Sequence, residues 1–258
     1  MGRGFAVARR VGFALLVGGV LLGGFVAYQL WGTGLVARHA QAGLEAELED
    51  RIAVAAPALV AYAPDPSLAV APIAPPAGLP GPGEFDLAAA LAAAGLPPAS
   101  PPPEGEDILV AETPPADGAA LGRILIPAAG VDWTVVEGVT TADLRQGAGH
   151  LPGTALPGQP GNAVISGHRT TYGAPFGDLD RVIPGDLITV TTVTGNHVYQ
   201  VVASTVVRPD EIWVTDQWQG SWLTLTTCHP RFSARARLVV TARLVGGPNA
   251  PVLVEGAA

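Results

Sequence analysis

The sequence predicts an all-β domain of about 130 residues, placed behind one membrane-spanning helix and a disordered spacer. From Gly118 onward, short runs rich in Val, Ile, Leu and Thr alternate with turn signals. Such a pattern is typical of a barrel or sandwich, here of about eight strands with short helices, one of them at "TTADLRQG". The residues before Gly118 are rich in Ala and Pro instead, and a long apolar run stands near the N-terminus.

The apolar run extends from Val11 to Trp31 without a charge, and about 20 apolar residues suffice to cross a bilayer core. Three arginines precede it, so the positive-inside rule places residues 1–10 in the cytoplasm and the rest of the chain outside. Residues 32–117 are expected to form a juxtamembrane helix and then a flexible Pro/Ala-rich stalk that contributes no core. Residues 118–247 form the folded domain, and residues 248–258 are a C-terminal tail.

Composition excludes several kinds of function. The formal net charge of −8 provides no basic surface for nucleic acid. All 14 basic residues are Arg, so neither Ser–Lys nor Schiff-base chemistry is available. The single cysteine, Cys228, cannot form an internal disulfide.

Cys228 ends the alternating stretch "SWLTLTTC". Strand periodicity places Trp222, Thr224, Thr226 and Cys228 on one face. A lone cysteine is often a small buried hydrophobe, but this one stands at a strand end, next to a loop that begins His229-Pro230. A thiol with an ordinary pKa near 8.5 needs a base or proton shuttle to act as a nucleophile.

Two histidines are candidates for that partner. His168 ends the strand "AVISGHRTT", where the small Ser166 and Gly167 leave room beside its ring, and it is the favoured choice. His150, in the loop "GAGHLPGT", stays a second candidate. The others are placed less well: His39 lies near the membrane, His197 falls in the hairpin turn "TGNH" where a solvated side chain is expected, and His229 points to the opposite face from Cys228.

Three arginines follow the cysteine within ten residues. Arg231 lies in the loop and is expected to be solvated. Arg235 and Arg237 are two residues apart, which predicts one shared face of the next strand. A guanidinium beside a thiol can bind the carbonyl oxygen that becomes an oxyanion, and the residues alone leave Arg235 and Arg237 equally possible.

These elements together resemble the sortases, the cysteine transpeptidases of Gram-positive cell surfaces. The resemblance covers about Gly118 to Gly247 and is strongest in "GHLPGTALPGQPGNAVISGHRTTYGAPFGDLDRVIPGD" and "LTLTTCHPRFSARARLVV". It implies a closed eight-stranded sortase-type barrel. The "GHRTTYGAPF" and "TTCHPRFSARARL" blocks are most similar to class E, the housekeeping type of high-GC actinobacteria.

The resemblance also implies a reaction. Cys228 would attack the Thr–Gly bond of an LAXTG-like or LPXTG-like sorting signal and form a thioacyl enzyme. His168 would transfer protons, and Arg237, which the class E spacing favours over Arg235, would bind the oxyanion. The partners would be surface proteins that carry the signal, a peptidoglycan precursor with a lipid II-type amine, and the cell membrane. Neither a metal nor an organic cofactor is required.

Two other functions compete with this one. A hydrolytic cysteine peptidase is the nearest, although peptidases of the NlpC/P60 type place Cys before His, whereas His168 precedes Cys228 here. A membrane-tethered binding module with a vestigial site belongs to a different class, and the complete set of His, Cys and Arg argues against it.

Overall fold

Eight strands close into a barrel in the computed structural model, which describes residues 2–104 and 107–255. Two short strands come before the barrel, and all ten are β1 (Ala58–Ala61), β2 (Ile108–Ala111), β3 (Ala120–Ile126), β4 (Val131–Glu137), β5 (Ala148–His150), β6 (Gly161–Ser166), β7 (Leu187–Thr192), β8 (Gly195–Val207), β9 (Ser221–His229) and β10 (Ala236–Gly246). Around the barrel the order is β10-β8-β7-β3-β4-β5-β6-β9. The predicted closed barrel of about eight strands is confirmed.

Alternate side chains of the barrel strands fill its interior. Ile124, Val135, Ile165, Ile188 and Leu225 are all fully buried in one apolar cluster. Burial of each such side chain contributes roughly 1.5–3 kcal/mol. In this arrangement β9 lies between β6, to which it is parallel, and β10, to which it is antiparallel.

The predicted hairpin joins β7 to β8, but the expectation for its histidine is wrong. Thr192 pairs with Gly195, so the turn comes before His197, which already lies within β8 opposite Val190. His197 is fully buried, with Nε2 2.8 Å from Thr194 Oγ1. Burial lowers the pKa of His197 to about 4, so the ring is neutral near pH 7.

Five α-helices accompany the strands: α1 (Gly2–Ala27), α2 (Thr33–Val54), α3 (Leu87–Ala94), α4 (Thr141–Leu144) and α5 (Ala250–Glu255). The predicted short helix at "TTADLRQG" is α4, which a capping box between Thr140 and Asp143 begins. Within α1, residues Ala8–Ala27 are apolar and long enough to cross a membrane. A π-helical turn, Tyr28–Gly32, joins α1 to α2.

The spacer is not the disordered stalk that its composition predicts. β1 pairs antiparallel with β2, and Leu91 of α3 and Leu96 just after this helix pack against Leu187 and Val198 of the barrel. Ser100 Oγ accepts a hydrogen bond of 2.9 Å from the backbone N–H of Asn196, at the start of β8. Proline lacks a backbone donor, and the elements of the Pro-rich part of this segment, β1, α3 and β2, are short.

The C-terminal residues also contact the barrel. Ala250 and Leu253 of α5 are buried and belong to the same apolar cluster as the barrel interior. Asn249, just before α5, donates a hydrogen bond of 2.9 Å to the carbonyl of Gly158 and accepts one of 2.8 Å from the N–H of Val110 in β2. The predicted tail therefore contributes packing through Val254.

Candidate active site

The end of β9 brings the three predicted site residues together. Cys228 on β9 is directly opposite Arg237 on β10. On the other side of β9, Ser166 of β6 pairs in parallel with Thr226. β6 ends at Ser166, so His168 lies two residues beyond that strand, on the β6 side of β9, whereas Arg237 lies on the β10 side.

Hydrogen bonds extend the contact between β6 and β9 beyond the last ladder pair. The N–H of Gly167 donates to the carbonyl of Thr226 at 3.0 Å, and the hydroxyl of Thr227 donates to the carbonyl of Gly167 at 2.7 Å. The hydroxyls of Ser166 and Thr226 are 2.8 Å apart. These bonds fix the backbone that carries His168 against the backbone that carries Cys228.

Cys228 is a half-buried free thiol. The other face of β9 is buried and carries Leu223, Leu225 and Thr227. Because side chains of a strand alternate between its two faces, Cys228 points away from that core. A strand-end thiol on the less buried face is accessible to a reactant.

His168 is half-buried, and its Nε2 has no hydrogen-bond partner among the described residues. Its ring centre lies 5.1 Å from that of Tyr172. Burial, and to a smaller extent the charge of Arg145, lowers the pKa of His168 below its ordinary value. The neutral form of the imidazole is therefore favoured, and its Nε2 is a buried atom.

The second histidine candidate, His150, has both ring nitrogens occupied. Its Nδ1 lies 2.7 Å from a carboxylate oxygen of Glu137. Its Nε2 lies 2.9 Å from the carbonyl of Ala155 and 3.0 Å from the hydroxyl of Thr154. Because the side chain is also buried, these contacts favour a structural role for His150 and leave His168 as the better proton shuttle.

The two arginines of the last strand occupy different environments. The expectation that they share a strand face is wrong, because β10 begins at Ala236 and Arg235 is exposed in the preceding bend. Arg237 is half-buried on the strand, and its Nη1 donates to the carbonyls of Ala234 and Ala236, each at 3.1 Å. Its Nε and Nη2 make no hydrogen bond to the described residues and remain for a ligand.

Two further arginines hold the loops around Cys228. Arg231 is exposed, as expected, and its Nη2 also donates to the carbonyl of Gly177 at 2.5 Å and to the carboxylate of Asp178. Arg169 was not predicted as a site residue and is 3% exposed. Its guanidinium lies 2.8 Å from Nδ1 of His229 and 2.9 Å from the carboxylate of Asp180. The position of Arg169 directly after His168 in the sequence could have indicated that it lies near the site.

Of the two tryptophans in the loop before β9, Trp218 is buried and Trp213 is partly buried. Trp218 is 2% exposed and meets Trp222 edge to face at 5.9 Å, while Val214 packs with Val207 and Val239. A cavity of about 590 Å³ lies between residues 70–75 and the first residues of β9. It lies at the opposite end of that strand from Cys228 and is not part of this site.

Comparison with known proteins identifies the family of this chain. The family model of the sortase domain matches residues 124–245, a range that holds His168, Cys228 and Arg237. Sortase D of Bacillus subtilis is 33% identical over 117 residues, which are 45% of this chain and 58% of that protein. The chain belongs to the sortase family.

Other sortases match a larger part of the chain. Sortase SrtE1 of Streptomyces coelicolor is 28% identical over 95% of this chain and 59% of its own length. A solved sortase E variant from Streptomyces avermitilis is 33% identical over 50% of this chain and 90% of that one, with a TM-score of 0.47. This sortase thus spans less than two thirds of SrtE1 and of the B. subtilis sortase D.

Proposed function

We propose that this chain is a class E-like sortase, a cysteine transpeptidase that joins surface proteins to a cell-wall precursor. It cleaves an LAXTG-like or LPXTG-like sorting signal between Thr and Gly and transfers the threonyl carbonyl to an amine of a lipid II-type peptidoglycan precursor. The observation that carries the proposal is Cys228 at the end of β9, with Arg237 opposite it on β10 and His168 two residues beyond the neighbouring strand β6. The similarity to SrtE1 and to the S. avermitilis sortase E supports the class.

In the first half of the proposed reaction, Sγ of Cys228 bonds to the threonyl carbonyl carbon and its proton passes to neutral His168. The carbonyl oxygen takes up negative charge, which Nε and Nη2 of Arg237 stabilise. The C–N bond to glycine then breaks, and the departing amine takes the proton from His168. The threonyl group remains on Cys228 as a thioester.

In the second half, the precursor amine attacks the thioester carbonyl and gives one proton to His168. Arg237 again stabilises the oxyanion. The C–S bond breaks, and the sulfur leaves as a thiolate that takes the proton back from His168. The enzyme returns to its starting state, and one peptide bond has replaced another without a cofactor.

The N-terminal helix is the proposed membrane anchor. Residues 11–31 would cross the bilayer with residues 1–10 in the cytoplasm, because Arg9 and Arg10 stand at the start of the apolar span. Residues 32–117 and the catalytic domain, residues 118–247, would lie outside. This topology places the reaction on the side of the membrane where cell-wall precursors are joined.

The experiment that tests the proposal uses the full chain in detergent with a panel of sorting peptides and a small primary amine. We expect release of the peptide beyond Thr together with a transfer product that contains the amine. Release with water as the only acceptor would indicate a hydrolytic peptidase on the same fold. No cleavage of any peptide in the panel would contradict the proposal.

Arg237→Ala is expected to lower kcat by about 10²- to 10³-fold, the usual effect of removing one oxyanion donor. Arg237→Lys should recover only part of that loss, because a point charge does not reproduce the planar fork of the guanidinium. Arg235→Ala is the matched control. Its kcat should stay within about tenfold of that of the unchanged enzyme, because Arg235 lies before the strand. The measurement is kcat for all three variants with one peptide and saturating amine. A greater loss in Arg235→Ala would reassign the oxyanion ligand.

A further inference from the structure

The helix that follows the proposed anchor is part of the folded unit. Leu44 and Leu48 of α2 are each 5% exposed and pack against Ala120 and Val136 of the barrel. Gln41 uses its side-chain amide as a strand partner would: Oε1 accepts from the N–H of Thr134 at 2.7 Å, and Nε2 donates to the carbonyl of the same residue at 3.0 Å. These contacts fix α2 on β4.

The first turn of α2 contacts the loop that follows His168. Thr33 is 2% exposed, and its hydroxyl oxygen accepts a hydrogen bond of 3.1 Å from the backbone N–H of Tyr172 while it donates to the carbonyl of Gln29. Next to it the backbones approach closely, since a Cβ on Gly34 would lie 3.7 Å from the nitrogen of Gly173.

That loop has an unfavourable backbone conformation that contacts from outside must hold. Tyr172 has φ of 52° and Ala174 has φ of 49°, in the left-handed region that costs a residue with a side chain free energy. The Tyr172 ring packs on the imidazole of His168, with ring centres 5.1 Å apart, and the guanidinium of Arg145 stands 5.7 Å from the tyrosine ring centre. The backbone position of Tyr172 therefore influences the orientation of His168.

We propose that Thr33 is a positioning residue for His168, and that α2 thereby makes catalysis depend on the membrane-proximal helix. The hydroxyl of Thr33 holds the N–H of Tyr172, and the tyrosine ring holds the imidazole. Thr33 follows Trp31, the last residue of the proposed anchor, by two residues. The histidine loop is thus attached close to the point where the anchor leaves the bilayer. This inference rests on the proposed function.

The test compares Thr33→Val with Thr33→Ser in the full chain, reconstituted in detergent. Valine keeps the shape of threonine and removes the hydroxyl, so kcat for peptide transfer should fall by about three- to tenfold, the factor that one net hydrogen bond gives. KM for the peptide should stay within about twofold, because the hydrogen bond does not touch the substrate. Thr33→Ser keeps the hydroxyl and should restore kcat. Val36→Thr makes the reverse change at an exposed position of α2. Its kcat and KM should equal those of the unchanged chain.

A second measurement does not depend on activity. Amide hydrogen exchange at Tyr172 should be faster in Thr33→Val than in the unchanged chain and Thr33→Ser. Unchanged exchange and kcat in Thr33→Val, or an equal loss in Thr33→Ser, would overturn the positioning role. If the unchanged chain cleaves no peptide, the proposed function fails, and the positioning role of Thr33 in catalysis fails with it. Amide exchange at Tyr172 would then still show whether the hydrogen bond from Tyr172 to Thr33 exists.

Discussion

Cys228→Ala is expected to abolish transfer of a sorting peptide and to leave the fold intact. The thiol is the group that forms the covalent bond in the proposed reaction, and alanine has no atom that can replace it. The fold should survive because Cys228 is only half-buried and lies at the end of β9. The measurement is the rate of peptide cleavage with and without amine, together with the thermal unfolding midpoint of both proteins.

The control for that variant is Thr226→Ala, on the same face of β9 and also half-buried. Its hydroxyl bonds to that of Ser166, so the change removes a neighbouring polar contact and retains the thiol. Thr226→Ala should keep measurable transfer. Transfer at the normal rate by Cys228→Ala would rule out the cysteine mechanism.

His168→Ala is expected to lower the rate of transfer by about 10²- to 10⁴-fold, the usual contribution of a general acid–base group. The variant loses the neutral imidazole that takes the thiol proton and later returns it to the leaving amine. The measurement is kcat in the full chain with saturating peptide and amine. His150→Gln serves as the matched control, since glutamine can keep part of the hydrogen-bonding pattern of that buried ring.

The control should reduce stability more than rate. Both nitrogens of His150 bind protein groups, and leaving a buried partner without its hydrogen bond costs about 1–3 kcal/mol. The folded His150→Gln protein should therefore keep its transfer rate within about tenfold. Equal losses of kcat in the two variants would mean that the structure does not distinguish the two histidines.

The central part of the site was predictable because it depends on strand periodicity. Alternation along β9 places Cys228 on the face that is not the core, and the short turn that follows brings Arg237 opposite it. The distinction between Arg235 and Arg237 was not predictable from that pattern, since it depends on the residue at which β10 begins. A local hydrogen bond from the N–H of Arg235 to Ser233 Oγ keeps Arg235 in the bend.

Pairs that are distant in sequence explain most of what local patterns missed. Ser166 and Thr226 meet across 60 positions, and periodicity alone contains no information about that pairing. The same holds for Arg169, whose guanidinium binds His229 and Asp180 inside the loop cluster. The resemblance to sortases indicated His168 and Cys228 as candidates; it did not indicate Arg169, which links their loops.

The amino-acid composition of the spacer did not predict that it is ordered. Its Ala and Pro content indicated disorder because such segments bury little apolar surface. The barrel, however, offers apolar positions at Leu187 and Val198, and two leucines of the spacer are enough to cover them. Whether such a segment is ordered depends on the surface beside it, which composition does not describe.

The most direct test of the account is to trap the covalent intermediate on Cys228. The full chain in detergent is mixed with a sorting peptide in the absence of amine, quenched in acid, and its intact mass and cysteine-containing peptide are measured. We expect a mass increase equal to the sorting peptide up to and including Thr, located on Cys228 and removed by added amine. Formation of the transfer product with no adduct on Cys228, or with the adduct on another residue, would contradict it.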